Sequence, residues 1–358
     1  MSSFSSDRDS RFEALRLIGI YFIILTHASA FGIRNVVGAI LPNDMRISLI
    51  LNYLLNFPGT FFNAVFVIVT GYFCIIRDVS YKRILVLAFQ LCFYSWAVAL
   101  LALLAGIVTE NRWSVAGQAL FSLFNGYNWF INCYIFFSLF IPILNKMIRA
   151  LDKNSFRTLI LLLVTYRCLY TVLGIATFMP IGKDISYFLL FYLIGAWLRL
   201  NPFRIKSARC FVSLIIVFFF YGLSVTCFGM IYKHTGRQWF FDHITLFLEP
   251  AKIASSILAF KLFESFKPFI NRKINWLAGS VAGVYILHEN RIIRPLIWQE
   301  IWPLAPFLDS WSFLPLMLFK SLIVMLVCLA AEMPWRLLVF PFATRMAERI
   351  CRSRSYII

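Results

Sequence analysis

Apolar runs long enough to cross a membrane follow one another along nearly the whole sequence, with short basic segments between them. A transmembrane helix needs about 20 predominantly apolar residues. Only 14% of the residues are charged and 61% are hydrophobic, which excludes a soluble globular domain. The pattern therefore predicts an all-α polytopic membrane protein with about ten transmembrane helices. The predicted spans are 12–31, 47–76, 84–108, 128–148, 156–178, 185–200, 210–232, 244–263, 276–298 and 312–340.

The basic residues between these runs indicate the orientation. With the N terminus in the cytoplasm, 22 of the 34 Lys and Arg residues fall in inside segments and 8 in outside loops. This asymmetry follows the positive-inside rule and predicts cytoplasmic N and C termini. It also explains the net charge of +18, so no nucleic-acid partner is expected. We predict a cytoplasmic segment at 1–11, a transmembrane domain at 12–340 and a basic cytoplasmic tail at 341–358.

The eight cysteines are scattered and form no Cys-x-x-Cys pair, so we predict neither a disulfide framework nor a metal site. No Walker loop or Gly-x-Gly-x-x-Gly motif appears, which leaves nucleotide-driven pumping without support.

The first span carries Arg16 and His27, two groups that are costly to place in hydrocarbon. Eleven residues at 100° each bring them to one helix face, roughly 16 Å apart along the axis, and Glu13 lies on the same side. A packed polar patch and snorkelling of Arg16 to lipid phosphate are the structural alternatives. A neutral imidazole can act as a base, and a guanidinium can hold phosphate oxygens. The pair therefore predicts group transfer from a phosphate-bearing donor to an alcohol.

These residues resemble the Arg-(ten residues)-His pattern in the first span of the acyltransferase-3 family of membrane O-acyltransferases. Four further segments resemble motifs of that family in the same order. They are FNAVFVIVTGYF at 62–73, YNWFINCYIFFSLFIPIL at 127–144, SVAGVYILH at 280–288 and AEMPW at 331–335. The resemblance covers about residues 11–340.

The resemblance implies transfer of an acyl group, usually acetyl from acetyl-CoA, to a hydroxyl of a surface polysaccharide or its lipid-linked precursor. Arg16, Lys82 and Arg83 are then expected to hold the donor phosphates. Members of the family often carry Arg-x-x-Arg at the start of the third span. The corresponding segment here, RDVSYKRIL, has no second Arg at that offset, which weakens the assignment of Lys82 and Arg83 to the donor phosphates.

Six further residues are candidates for substrate or supporting roles. They are Asn128, Trp129, Arg167, Tyr285, His288 and Glu332. Two of them also have a structural interpretation: an aromatic belt for Trp129, and for Glu332 an ion pair with Arg336, Lys320 or Arg16. We place Glu289, Arg291 and Arg294 in a solvated outer loop, with a glycan or pyrophosphate contact as the alternative.

We therefore predict an acetyl-CoA-dependent O-acyltransferase in a bacterial cytoplasmic membrane, surrounded by membrane lipid, with His27 and Arg16 as catalytic residues and no metal. The acceptor is a carbohydrate. The alternative is a transporter or flippase, which also needs buried charges around a midplane cavity. No inverted repeat or clearly broken span supports that alternative in the sequence.

Overall fold

The computed structural model describes residues 8–37, 45–108, 110–124, 128–173 and 185–354. The described residues form helices and turns and contain no strand, which confirms the all-α prediction. The main helices are α1 (Ser10–Ser29), α2 (Ile47–Cys74), α3 (Tyr81–Leu104), α4 (Arg112–Leu120), α5 (Trp129–Ala150), α6 (Lys153–Leu173), α7 (Ile185–Leu200), α8 (Ser207–Thr235), α9 (Leu248–Glu264), α10 (Arg272–Ala278), α11 (Val281–His288), α12 (Phe313–Ala331) and α13 (Phe340–Arg354).

Six helical stretches of the described chain are long and apolar enough to cross a membrane. They are Ser10–Arg34, Ile47–Cys74, Tyr81–Leu104, Trp129–Ala150, Ser207–Thr235 and Phe313–Arg352, and a shorter apolar helix covers Ile185–Leu200. The protein is therefore an integral membrane protein, and the count of ten spans stays a prediction. Residues 174–178, the predicted end of the fifth span, lie outside the described residues.

The predicted ninth span is broken. Residues 276–298 do not form one helix, because α10 ends at Ala278 and α11 ends at His288. After a turn, the chain continues as a short helix at Ile293–Pro295 and a π-helix at Leu296–Ile301. Apolarity alone could not indicate these breaks, which place the polar group His288–Glu289–Asn290 at a helix end.

Helix α1 lies at the centre of the bundle and packs against α2, α9, α10, α11 and α12. Its buried apolar residues include Leu15, Ile20 and Ile24. Below, the inner end of the bundle means the end where α1 begins, and the outer end means the end where α1 finishes.

Helices α2 and α7 approach each other backbone to backbone. A Cβ atom on Gly71 would lie 2.2 Å from the Tyr192 carbonyl oxygen, and one on Gly195 would lie 2.1 Å from the Ile68 carbonyl oxygen. Small residues permit such close approach in membranes, where helix association depends on van der Waals packing.

The outer part of α1 is hydrogen bonded to α2 on either side of Pro58. Pro58 lies inside α2 and has no N–H to donate. Thr26 Oγ1 donates to the Asn56 carbonyl at 2.9 Å and accepts from the Gly59 N–H at 3.0 Å. Because Thr26 precedes His27, these bonds fix α1 beside the candidate base.

Candidate active site

His27 meets His288 across the interface between α1 and α11. Nδ1 of His27 and Nε2 of His288 are hydrogen bonded at 2.9 Å, with ring centroids 5.0 Å apart. His288 is fully buried, and its Nδ1 lies 2.7 Å from the Val284 carbonyl oxygen. The structure therefore brings the predicted residue of the first span to the predicted residue of the ninth.

The hydrogen-bond partners define the tautomer of each ring. A carbonyl oxygen only accepts, so Nδ1 of His288 carries the hydrogen, and neutral His288 presents a lone pair at Nε2. That lone pair requires a hydrogen on Nδ1 of His27. Neutral His27 then has its own lone pair on Nε2, which makes no hydrogen bond to the described residues. This nitrogen can take a proton or attack a carbonyl carbon.

Glu289 is the neighbour that the sequence analysis missed. Its Oε2 lies 3.0 Å from Nδ1 of His27, and its Oε1 accepts from Arg294 Nη1 at 3.0 Å. Arg294 in turn stacks on the Phe31 ring, with its Cζ 4.1 Å from the centroid. The prediction that Glu289 is solvated was wrong, since only 4% of it is exposed. After a turn at His288 the chain continues along the end of α1, where Arg294 contacts both Glu289 and Phe31.

The Glu289 charge has a defined chemical use. Its Oε2 has no hydrogen-bond donor among the described residues, although the atom is buried. A buried carboxylate without a donor is costly, but a cation that forms beside it is stabilised. The carboxylate of Glu289 is therefore placed to stabilise positive charge on the His27 ring. Its position directly after His288 is the only sequence signal that could have indicated it.

Tyr285 belongs to the same group of rings. Its ring centroid lies 5.6 Å from that of His288 and 6.5 Å from that of His27. It also packs on Phe130, at 5.7 Å. Tyr285 and His288, one turn apart in α11, therefore share one face of that helix. Trp129 packs on Phe130, Tyr187 and Phe188, so it lies behind these rings among aromatic neighbours.

A cavity of about 350 Å³ opens at the outer end, with both apolar and polar residues in its wall. Asn290, next to Glu289, lies in this wall, and so does Asn128. Its other polar lining residues are Ser95, Glu110, Asn111, Gln118, Arg291 and Glu300. Amide, carboxylate and guanidinium groups of this kind can hydrogen bond a molecule that carries many hydroxyls.

The inner end of α1 carries a different group. Glu13 accepts from Arg16 at 2.9 Å and from Arg8 at 3.0 Å. The pKa of Arg8 is lowered by burial, and the positive charges of Arg16 and Arg83 lower it further, while Glu13 opposes them. Two guanidinium groups on one carboxylate, with the charge of Arg83 acting on Arg8 as well, leave excess positive charge, which suits an anionic ligand.

Lys82, which was predicted to bind the phosphates of the acyl donor, forms an ion pair with a residue of the protein. Its Nζ pairs with Glu348 of α13, at the inner end of the bundle. The two side chains are 37% and 42% exposed, so the pair is accessible to solvent. Exposed pairs contribute little stability, roughly 0–1 kcal/mol, and an anionic ligand can replace the carboxylate.

Glu332 is buried between α3, α11 and α12. It accepts from Gln90 Nε2 at 2.7 Å and from the Tyr94 hydroxyl at 2.5 Å. Its carboxylate lies against the backbone of Gly283, where an added Cβ would be 1.8 Å from Oε2. Arg336, the ion-pair partner considered above for Glu332, donates to Trp276 O and Ser280 Oγ.

Arg167 lies in a separate buried cluster. Its Nε donates to Glu249 Oε2 at 3.2 Å and its Nη1 to Ser186 Oγ at 3.1 Å, while Lys252 also binds Glu249. The carboxylate of Glu249 therefore occupies the place beside Arg167 that an anionic ligand would take. The supporting role of Arg167 stays a prediction.

Three donor atoms of His27, His288 and Glu289 lie within 4.8 Å of one another and could hold a metal ion. Two imidazoles and a carboxylate are a usual ligand set for such ions. The hydrogen bond between Nδ1 of His27 and Nε2 of His288 already accounts for the close approach of these two atoms. In a metal site, by contrast, both nitrogens would have to direct lone pairs at the cation. Absence of a metal stays a prediction.

The Arg16–His27 face and the order of the motifs agree with one family. The family model described as "Acyltransferase domain", that of acyltransferase-3, matches residues 9–333. The chain belongs to the acyltransferase-3 family. No curated protein and no solved structure matches the chain. The match includes every predicted site residue and ends just beyond Glu332, and it identifies a membrane acyltransferase.

Proposed function

We propose that this membrane acyltransferase moves a short acyl group, acetyl in the simplest case, from acyl-CoA to a carbohydrate hydroxyl. The observation that carries the proposal is the free Nε2 lone pair of His27, fixed by the hydrogen bond from Nδ1 to His288. Glu289 stabilises the positive charge that His27 gains when it takes a proton. General bases of this kind contribute rate factors of roughly 10²–10⁴.

The donor enters at the inner end, where Arg8, Arg16 and Arg83 supply excess positive charge for its phosphates. Arg16 and His27 lie roughly 16 Å apart along the straight helix α1. An extended pantetheine arm can bridge such a distance and present the thioester carbonyl to His27. Lys82 joins the phosphate contacts when it leaves Glu348.

The acceptor enters from the outer cavity, whose polar lining suits a carbohydrate, free or lipid-linked. In a direct transfer, His27 Nε2 takes the hydroxyl proton while the oxygen attacks the thioester carbonyl. The C–S bond breaks, and the departing thiolate recovers the proton. In a relay, Nε2 attacks the thioester first, CoA leaves, and the hydroxyl then attacks the acyl-imidazole. Asn128 and Trp129 support the acceptor side in both routes.

We assign the enzyme to a bacterial cytoplasmic membrane, where cytoplasmic acyl-CoA and lipid-linked glycans both have access to one protein. The proposed orientation places the inner end in the cytoplasm, in agreement with the positive-inside pattern.

The test uses membrane vesicles that contain this protein, the host's lipid-linked glycans and radiolabelled acetyl-CoA. Native protein is compared with His27→Ala and with His234→Ala, a control histidine that is exposed near the outer end of α8. We expect label in glycan with the native and His234→Ala proteins and none with His27→Ala. Equal labelling by all three would remove His27 from the chemistry. No labelling by any, with unmodified glycan crossing the membrane, would favour a transporter.

A further inference from the structure

The last helical stretch is too long for one membrane crossing. Phe313–Arg352 contains 40 residues, which at 1.5 Å per residue is about 60 Å, twice the hydrocarbon thickness of ~30 Å. Helix α12 alone, with 19 residues, is long enough to cross. Pro334 and the π-helix at Trp335–Val339 separate α12 from α13. Helix α13 therefore lies beyond the hydrocarbon, at the inner end where Glu348 meets Lys82.

Helix α13 presents three faces along its length. Ala343 and Ala347 are buried, and the helix packs against α3. Next to this buried face runs an exposed apolar stripe of Phe342, Met346 and Ile350, spaced four residues apart. Phe342 is 66% exposed, although it is large and aromatic.

The third face is basic. Arg345, Arg349 and Arg352 are exposed and form no ion pair with the described residues. At 100° per residue they lie within about 60° of one another, beside the apolar stripe and opposite the buried alanines. Glu348, the acidic residue of this helix, pairs with Lys82 and also interacts electrostatically with Arg352, so one carboxylate faces four cations and the basic face keeps a net positive charge.

We propose that α13 lies along the inner membrane surface and binds anionic phospholipid headgroups. An apolar stripe beside a basic stripe is the pattern of helices that lie in the interface, with the apolar side at the acyl chains. The apolar stripe continues the exposed residues Leu337 and Leu338, which directly follow the last span. The three arginines extend over roughly 10 Å, a surface for several headgroups rather than one free anion.

This inference is independent of acyl transfer, because its test measures lipid binding. The full-length protein is reconstituted in nanodiscs of phosphatidylcholine, with and without phosphatidylglycerol. Bound lipids are counted by native mass spectrometry, and amide exchange is followed over residues 340–352. The test variant is Arg345→Gln/Arg349→Gln/Arg352→Gln. The matched control is Arg204→Gln/Lys206→Gln/Arg209→Gln, which removes three exposed basic residues from another segment at the predicted cytoplasmic face.

We expect phosphatidylglycerol to slow exchange in α13 of the native protein. The α13 triple variant should bind this lipid at least about tenfold more weakly, while the control variant binds as the native protein does. Restoring charge with Arg345→Lys/Arg349→Lys/Arg352→Lys should restore most of the binding. Equal binding by native and triple-Gln proteins would overturn the proposal. So would protection of α13 that depends on protein concentration instead of lipid charge, since a second copy would then cover the stripe.

Discussion

Oε2 of Glu289 lies 3.0 Å from Nδ1 of His27, although the two residues are separated by most of the chain. The contact joins the central helix α1 to the end of the broken ninth span. It places a buried negative charge beside the ring that also bonds His288. Glu289 thus acts as a positioning and charge-stabilising residue for His27, while the opposite nitrogen of that ring remains open to substrate.

The first prediction concerns the charge of Glu289. Glu289→Gln keeps the size of the side chain but removes the negative charge next to His27. We expect kcat to fall by roughly 10²-fold with little change in KM for acyl-CoA, because a positioned base contributes about 10²–10⁴-fold. Steady-state transfer of labelled acetyl groups measures both constants. Asp309→Asn is the control, since Asp309 is an exposed acid paired with Arg46. Loss of activity in both variants would indicate a general electrostatic effect.

The helical period was enough to predict that Arg16 and His27 share one face, because both lie on one continuous helix. The lengths of the apolar runs also predicted the first and last residues of α2, α3, α5 and α8 within a few residues. The His27–Glu289 contact could not be predicted this way, since it depends on the end of α11 at His288 and on the packing of that end against α1. The partners of Glu332 and Lys82 likewise depend on which helices become neighbours, and apolar periodicity carries no such information.

The second prediction concerns the contact between Gly283 and Glu332. Gly283→Ala would place its Cβ 1.8 Å from Glu332 Oε2, so the carboxylate must leave Gln90 and Tyr94. We expect a loss of about 1–3 kcal/mol in stability, as overpacked sites show. Thermal unfolding in detergent measures it.

Two further variants identify the cause of that loss. Gly283→Ala/Glu332→Ala should be no less stable than Glu332→Ala alone, because the clash is gone. Gly117→Ala should leave the unfolding temperature unchanged or slightly higher, since no atom lies within 4 Å of its added Cβ. Destabilisation of the double variant beyond Glu332→Ala would show that Gly283 is needed for another reason.

The third prediction separates a hydrogen-bonded histidine pair from a metal site. His27, His288 and Glu289 could bind a transition metal, and such a metal would be needed for activity. We expect full activity after dialysis against a chelator, and no stoichiometric zinc, iron or manganese in the purified protein by elemental analysis. Loss of activity with chelator and its recovery with one metal would replace the base mechanism.

The fourth prediction tests whether Arg16 binds the donor phosphates. Arg16→Gln removes one of the guanidinium groups around Glu13, so the inner end loses positive charge. We expect KM for acetyl-CoA to rise about tenfold or more, since charge-assisted bonds contribute roughly 1.5–3 kcal/mol each.

Acetyl-pantetheine lacks the nucleotide phosphates and provides the comparison. The native and Arg16→Gln proteins should use that donor equally well, because neither can make the phosphate contact. If Arg16→Gln impaired both donors to the same extent, Arg16 would support the fold of α1 through Glu13 and would not bind phosphate. Arg157→Gln, which changes an exposed arginine of α6, should leave both constants unchanged.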